Sequence, residues 1–211
     1  LKDGRQFEVD KALVSAGRIG NTAGLGLEKV GVVVNERGLI EVDATFKTNV
    51  AHIYAAGDVI GRPALASASM EQGRIAVSSM FGRSPGARDW SSLASGIYTI
   101  PEAASAGATE QELLNAGTPF VVGRSHMRHN ARGQVIGDSD GFIKLLFHRE
   151  TRRLLGVHVI CEQATELVHI GQAVMRLGGG VQYFLETLMT YPSLSIAYKY
   201  AAYDALGELE G

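Results

Sequence analysis

The chain has 211 residues but only one cysteine, one tryptophan and five prolines. The lone Cys161 excludes an intrachain disulfide and any Cys-x-x-Cys metal or redox site; it reads as a buried, inert thiol. Neither sign of charge dominates, since 20 Lys and Arg stand against 22 Asp and Glu with no basic block. Nucleic-acid binding therefore has no electrostatic footprint. No apolar run is long enough to span a bilayer and no secretory pattern opens the chain. The expectation is a cytoplasmic protein with no membrane partner. Gly-x-Gly-x-x-Gly is missing too, so neither dinucleotide fingerprint lies in this chain. Gly178 to Gly180 follow a helical stretch and lack a Lys-Ser/Thr, which makes them a helix stop rather than a phosphate loop. The six histidines show no metal-ligand spacing: His126 and His129 are three apart without a third ligand. His169 falls on a helical stretch and reads as a packing or interface residue.

What is present suits an ordinary globular protein, with 45% hydrophobic and 20% charged residues. The length allows one large or two small domains. The chain opens at Leu1 into Lys2-Asp3-Gly4-Arg5, an Asp-Gly hairpin signal followed by Phe7-Glu8-Val9. That opening is expected to belong to the C-terminal part of a longer protein. Lys11 to Ala16 reads as a short apolar strand, followed by the turn Gly17-Arg18-Ile19-Gly20-Asn21-Thr22. Val32 to Val34, β-branched, and Gly38 to Asp43 read as a β-ribbon.

The ribbon feeds the stretch around which the rest is arranged, Thr48-Asn49-Val50-Ala51-His52-Ile53-Tyr54-Ala55-Ala56-Gly57-Asp58. An apolar run bounded by turn residues predicts a buried strand. Its small residues Ala55, Ala56 and Gly57 let a backbone or a flat ligand come close. Asp58 then falls at the strand's carboxyl end, where open α/β sheets bind ligands, or it caps the next helix. Pro63 suits the first turn of that helix, along which Leu65, Ala68, Gln72, Ile75 and Val77 form a loose stripe.

Gly82 to Ser95 reads as linker-rich, and the boundary between domains is placed at residues 91–97. Beyond it, Thr109-Glu110-Gln111-Glu112 is a capping box whose helix should end near Gly117, before Pro119. Phe120 to Arg124, Gly141 to Phe147 and Leu154 to Ile160 read as strands, the last two as an antiparallel hairpin around a charged turn. Glu162 to Leu177 carries a helical stripe, and Val181 to Leu188 and Leu194 to Leu206 suggest two more helices.

The pattern Thr-x5-Tyr-Ala-x-Gly-Asp, spelled by Thr48 to Asp58, resembles the second FAD-binding motif of the flavoprotein disulfide reductase family. The resemblance implies that the Asp58 carboxylate, an acceptor-only group, takes a hydrogen bond from the flavin's ribitol. It also implies that the backbone around Leu65 and Ala66, at a helix N-terminus, faces the flavin's pyrimidine end. Gly57 and Asp58 with Leu65 and Ala66 are thus the expected cofactor contacts; Ser67 stands where many relatives have His. Gly17 to Thr22 resembles the family's Gly-Arg-x-Pro-Asn segment, with Gly20 where Pro is usual. The fold implied is α/β plus α+β. In that division, residues 1–22 end an NAD(P)-binding domain and 23–90 form the C-terminal part of an FAD-binding, Rossmann-like domain. Residues 91–97 are the linker and 98–211 an α+β dimerisation domain, hence a homodimer.

In thiol reductases of the family, a His-Pro segment followed by Glu supplies an acid–base dyad, which suits an imidazole that titrates near neutrality. The matching segment here is Thr190-Tyr191-Pro192-Ser193-Leu194-Ser195-Ile196, with Tyr191 at the His place and Ile196 at the Glu place. A phenol ionises near pH ~10, and the aliphatic side chain of isoleucine orients nothing. No catalytic residue is therefore assigned, and no metal. The loss resembles the family's FAD-containing transhydrogenase branch, which moves hydride between NADH and NADP without a dithiol. FAD is then the cofactor, with NAD(H) and NADP(H) as substrates, and the fragment alone is expected to be inactive. The alternatives are a dihydrolipoamide dehydrogenase-like flavoprotein and a stand-alone dimerisation module without flavin.

Overall fold

The computed structural model describes residues 4–61, 63–83 and 89–210. Lys2 and Asp3 of the expected hairpin, and residues 84–88 of the expected linker stretch, lie outside them. The chain divides into two compact units, Leu1–Ala87 and Arg88–Gly211.

Among its described residues the first unit holds one α-helix, α1 (Ala66–Met80), and two short 3-10 turns, Leu27–Lys29 and Asp58–Ile60. The strand expected over Lys11 to Ala16 does not form: Leu13 and Val14 are 95% and 82% exposed. A strand exists only where its backbone groups are paired by a neighbour, and apolar pattern alone supplies no neighbour. For the same reason the expected ribbon is reduced to an isolated Val34–Ile40 bridge, and the strand expected before Asp58 to an isolated Lys47–Tyr54 bridge. Helix α1 begins three residues after Pro63. It buries Ala68, Gln72, Ile75 and Ala76, whereas Val77 is exposed.

The second unit is an α+β domain around a five-stranded antiparallel sheet in the order β1-β2-β5-β4-β3. The strands are β1 (Ser95–Ile97), β2 (Glu102–Gly107), β3 (Phe120–His126), β4 (Phe142–His148) and β5 (Leu154–Cys161). Three residues expected in the linker thus form the edge strand, held by Ser95–Ser105 to Ile97–Ala103 pairing. The β4–β5 hairpin forms as expected, with Lys144 opposite His158.

Short helices α2 (Glu110–Asn115) and α3 (Ala131–Ile136) occupy the connections. The Thr109–Glu112 capping box is complete: the Thr109 hydroxyl accepts from Glu112 N–H and the Glu112 carboxylate from Thr109 N–H. Helices α4 (Ala164–Arg176), α5 (Val181–Glu186) and α6 (Ala197–Glu210) complete the unit; α6 starts and ends later than the sequence pattern suggests. The core is formed by Ile143, Leu145, Phe147, Val157 and Val159 of the sheet with Leu167, Val168, Phe184 and Tyr198 of the helices. Approach of α6 to β3 is close because Gly123 faces Ala201 and Ala205, where a Cβ would lie 1.9 Å from the Ala201 carbonyl oxygen. Buried Tyr198 donates to the Leu167 carbonyl at 2.8 Å and lies stacked on Phe184, joining α6 to α4 and α5. Burial pushes its phenol well above the ordinary range.

The glycine run after α4 is a helix stop. Gly178 N–H bonds Met175 O and Gly179 N–H bonds Val174 O, with Gly178 at φ 69°, which is the Schellman arrangement. Gly180 then pairs with Arg153 at the start of β5.

Candidate functional site

Thr48 opens the motif as a structural residue. Its buried hydroxyl accepts from Val50 N–H and donates to the Ile53 carbonyl, while its own N–H bonds Ile53 O, so residues 48–53 close into a tight loop. Asn49 anchors that loop with its side-chain amide, accepting from Val33 N–H and donating to Gly31 O. The chain then runs to Gly57, which adopts φ 86° and ψ −162°, a conformation that favours glycine. The Gly57 N–H donates to Oε1 of Gln72 at 2.7 Å, and Gln72 is only 1% exposed. Asp58 follows at the head of a 3-10 turn rather than at the end of a strand. Its carboxylate is partly exposed and pairs with Arg18 at 2.9 Å. An exposed pair of this kind is worth about 0–1 kcal/mol.

Opposite Asp58 stands the Gly17–Thr22 segment. Gly20 N–H donates to Arg37 O at 3.0 Å, and the Thr22 hydroxyl to Gly38 O at 3.0 Å. A Cβ on Gly20 would lie 1.9 Å from Gly38 O. Proline would both clash there and lose the bond to Arg37, which accounts for glycine at a place where the related motif has Pro. Between these segments lies a cleft of about 660 Å³, lined by Arg18, Arg37, Leu39, Asp58, Gly61 and Ala64 among others. Two arginines and one carboxylate-bearing residue in the lining suit a polyanionic ligand with a hydroxyl to offer. Gly57, Leu65 and Ala66 do not line it. Leu65 instead forms the N-cap of α1, extended at φ −130° and ψ 140°, and no side chain caps the first-turn N–H groups. Neither Arg37 nor Gln72 is identifiable as a site residue from the sequence: folding brings Gln72 to Gly57 and Arg37 to the cleft beside Asp58.

In the second unit, the segment that matches the thiol reductases' dyad carries no acid–base pair. Tyr191 is 64% exposed and Ile196 half-buried. The loop between them is held by hydroxyls and an amide. Ser193 donates to Thr190 O, Ser193 and Ser195 share a bond of 2.9 Å, and buried Asn130 donates to Ser193 O. His169 is exposed, not packed; its Nδ1 lies 2.8 Å from Gln172 Oε1, while Gln172 Nε2 donates to Ser92 O. Since that amide oxygen can only accept, His169 carries its proton on Nδ1 when neutral. Cys161 is buried as expected. Desolvation, then the nearby Asp138, Glu102 and Glu162 carboxylates, push its thiol up to about 12, leaving no thiolate nucleophile at neutral pH. Among the described residues, no group of three or more His, Cys, Asp or Glu could hold a metal ion.

Comparison with known proteins follows these two regions. The family model described as pyridine nucleotide-disulphide oxidoreductase, dimerisation domain, matches residues 93–202, and that of pyridine nucleotide-disulphide oxidoreductase matches residues 1–73. The chain belongs to the pyridine nucleotide-disulphide oxidoreductase family. Its five-stranded sheet with α4, α5 and α6 is the family's dimerisation domain. Among curated members of the family, the soluble pyridine nucleotide transhydrogenase of Yersinia enterocolitica is 45% identical over 99% of this chain and 46% of its own length. The chain thus spans a little under half the length of the curated relatives it matches. Among solved structures, LpdA from Mycobacterium tuberculosis matches with a TM-score of 0.84 and 32% identity, covering 95% of this chain and 44% of that one. The Cu(II) complex of the HOCl-induced flavoprotein disulfide reductase RclA from Escherichia coli matches with a TM-score of 0.85 and 28% identity, covering 93% and 46%.

Proposed function

We propose that these residues act within a full-length, FAD-dependent oxidoreductase that transfers hydride between NADH and NADP. The carrying observation is the 45% identity, along essentially the whole chain, to a protein named soluble pyridine nucleotide transhydrogenase. Tyr191 and Ile196 support the same reading, because they remove the dyad that a thiol reductase needs. The cleft beside Asp58 fits FAD by the chemistry of its groups. Arg18 and Arg37 match the charge of a diphosphate, and Asp58 accepts from a ribitol hydroxyl; outside the cleft lining, just beyond Ala64, the uncapped first turn of α1 at Leu65 and Ala66 offers N–H donors to the pyrimidine edge. Bound flavin supplies the hydride chemistry. The chain's own part is to bind and orient it: Arg18 occupies one oxygen of the Asp58 carboxylate, and the remaining acceptor sites are open to the ligand's hydroxyl. Residues 98–211 form the dimerisation domain of a two-fold cytoplasmic homodimer, with residues 1–22 closing the NAD(P)-binding domain and 23–90 the FAD-binding domain.

The test is flavin retention by the full-length protein. The wild type should purify yellow and pass hydride from NADPH to an NAD analogue. Asp58→Asn, which swaps an ionised acceptor for a neutral amide, should weaken FAD binding by roughly ten- to a hundred-fold. A colourless wild type, or undiminished flavin in Asp58→Asn after dialysis, would refute the assignment.

A further inference from the structure

We propose that Gln72 is a positioning residue of the flavin site, holding the Gly57–Asp58 turn at a fixed distance from the N-terminus of α1. The inference rests on the FAD reading above. Three observations carry it. Gln72 is 1% exposed, the only polar residue among the four that α1 buries, and a helix does not bury an amide without an assigned partner. Its Oε1 accepts from Gly57 N–H at 2.7 Å, on the residue immediately before Asp58. One turn earlier on the same helix face, Ser69 Oγ lies 3.4 Å from where a Gly57 Cβ would be, so the turn rests directly on α1. The other half of the proposed cradle, Leu65 and Ala66, is the start of that same helix. A single side-chain bond therefore couples the carboxylate that takes the ribitol hydroxyl to the N–H groups that take the pyrimidine edge. Gln72 touches neither of those ligand positions; it acts through Gly57.

The experiment uses the full-length holoprotein as wild type, Gln72→Met, Gln72→Glu and Asp58→Asn, with free FAD as the probe. Methionine keeps the volume but removes the acceptor, leaving Gly57 N–H unpaired. Glutamate keeps an accepting oxygen in either protonation state. Gln72→Met should weaken FAD binding about ten-fold or more and alter the flavin's visible circular dichroism, while Gln72→Glu restores both toward the wild type. Retention of FAD by Gln72→Met, with loss in Asp58→Asn, overturns the proposal while leaving the FAD reading intact. Equal loss in Met and Glu variants overturns it as well, since a purely structural role would not distinguish them by their acceptor. A wild type that binds no FAD sinks the earlier reading and this one with it. Should Gln72→Met fail to fold, hydrogen exchange on the wild-type holoprotein decides: the Gly57 amide must be protected, and exchange at the rate of an open amide refutes the bond.

Discussion

Gly123→Ala isolates the closest helix–sheet approach in the second unit. The added Cβ would sit 1.9 Å from the Ala201 carbonyl oxygen and 2.8 Å from Ala205 Cβ, where ordinary contacts begin at 3.4 Å. Both obstacles are parts of α6 that no rotamer change can move. The helix must therefore retreat from β3 by about 1.5 Å, a gap at which a dispersion contact has lost more than half its depth. Ala197, Tyr198, Ala201 and Ala205, all fully buried, lose packing together. Overpacking of this kind costs about 1–3 kcal/mol, and the rigidity of both surfaces puts Gly123→Ala at or above the upper end. For a domain of this size that is a fall in Tm of roughly 10 °C or more. Gly207→Ala, on the same helix but with nothing within 4 Å of the new Cβ, should instead stabilise by up to ~0.5–1 kcal/mol through helix propensity. Urea unfolding of both variants, followed by the fluorescence of Trp90 in the same unit and by far-UV circular dichroism, reads the two signs. A Gly123→Ala variant within about 0.5 kcal/mol of wild type, a surface-like effect, would show that α6 does not rest on Gly123 as described.

Removing the capping hydroxyl with Thr109→Ala should cost about 1 kcal/mol, measured by the same unfolding; no change would mean that α2 is not held by its box. His158 gives a pH dependence. Burial first, then the charge of Lys144, holds its imidazole below the ordinary value, against the opposing pull of the Ala108 carbonyl, Glu110 and Glu112. As pH falls below about 6.5 the unfolded chain takes up the proton before the folded one does. Stability present above that pH is thus lost on acidification, and His158→Gln should flatten the loss between pH 7.5 and 5.5; an unchanged slope in urea midpoints would remove His158 as its source. Finally, restoring the dyad with Tyr191→His and Ile196→Glu should not create lipoamide or glutathione disulfide reduction in the full-length protein, because its thiolate pair is expected to be absent. Enzyme-like disulfide turnover by the wild type would favour the thiol-reductase reading instead.

Local rules were enough wherever local interactions decide the structure. The capping box at Thr109, the glycine stop after α4 and the β4–β5 hairpin all depend on residues a few positions apart, and all were legible. Strand β2, Glu-Ala-Ala-Ser-Ala-Gly, has no β-branched residue and no clear alternation. It is a strand because β5 pairs with it, and nothing within its own six residues says so. Lys11 to Ala16 errs the other way, with strand composition but no pairing. The motif points to Asp58, yet the placement of its neighbours Arg18, Arg37 and Gln72 depends on chain segments 14 to 40 positions away folding back. The helical stripe does not distinguish Gln72 as a site residue, since a buried amide and a buried leucine occupy the same period.

The strand order has a consequence for synthesis. Strands β3, β4 and β5 follow one another and pair as neighbours, but β1 and β2 pair with each other and then only with β5. Partners across the β2–β5 ladder, such as Gly107 and Gly156, are separated by about fifty residues, roughly 3–10 s of translation. During that time the β1–β2 pair is an isolated two-stranded ribbon, below the size that holds together in water. The piece of this domain made first is therefore among the last to become stable, and its open edge waits for β5 to leave the ribosome.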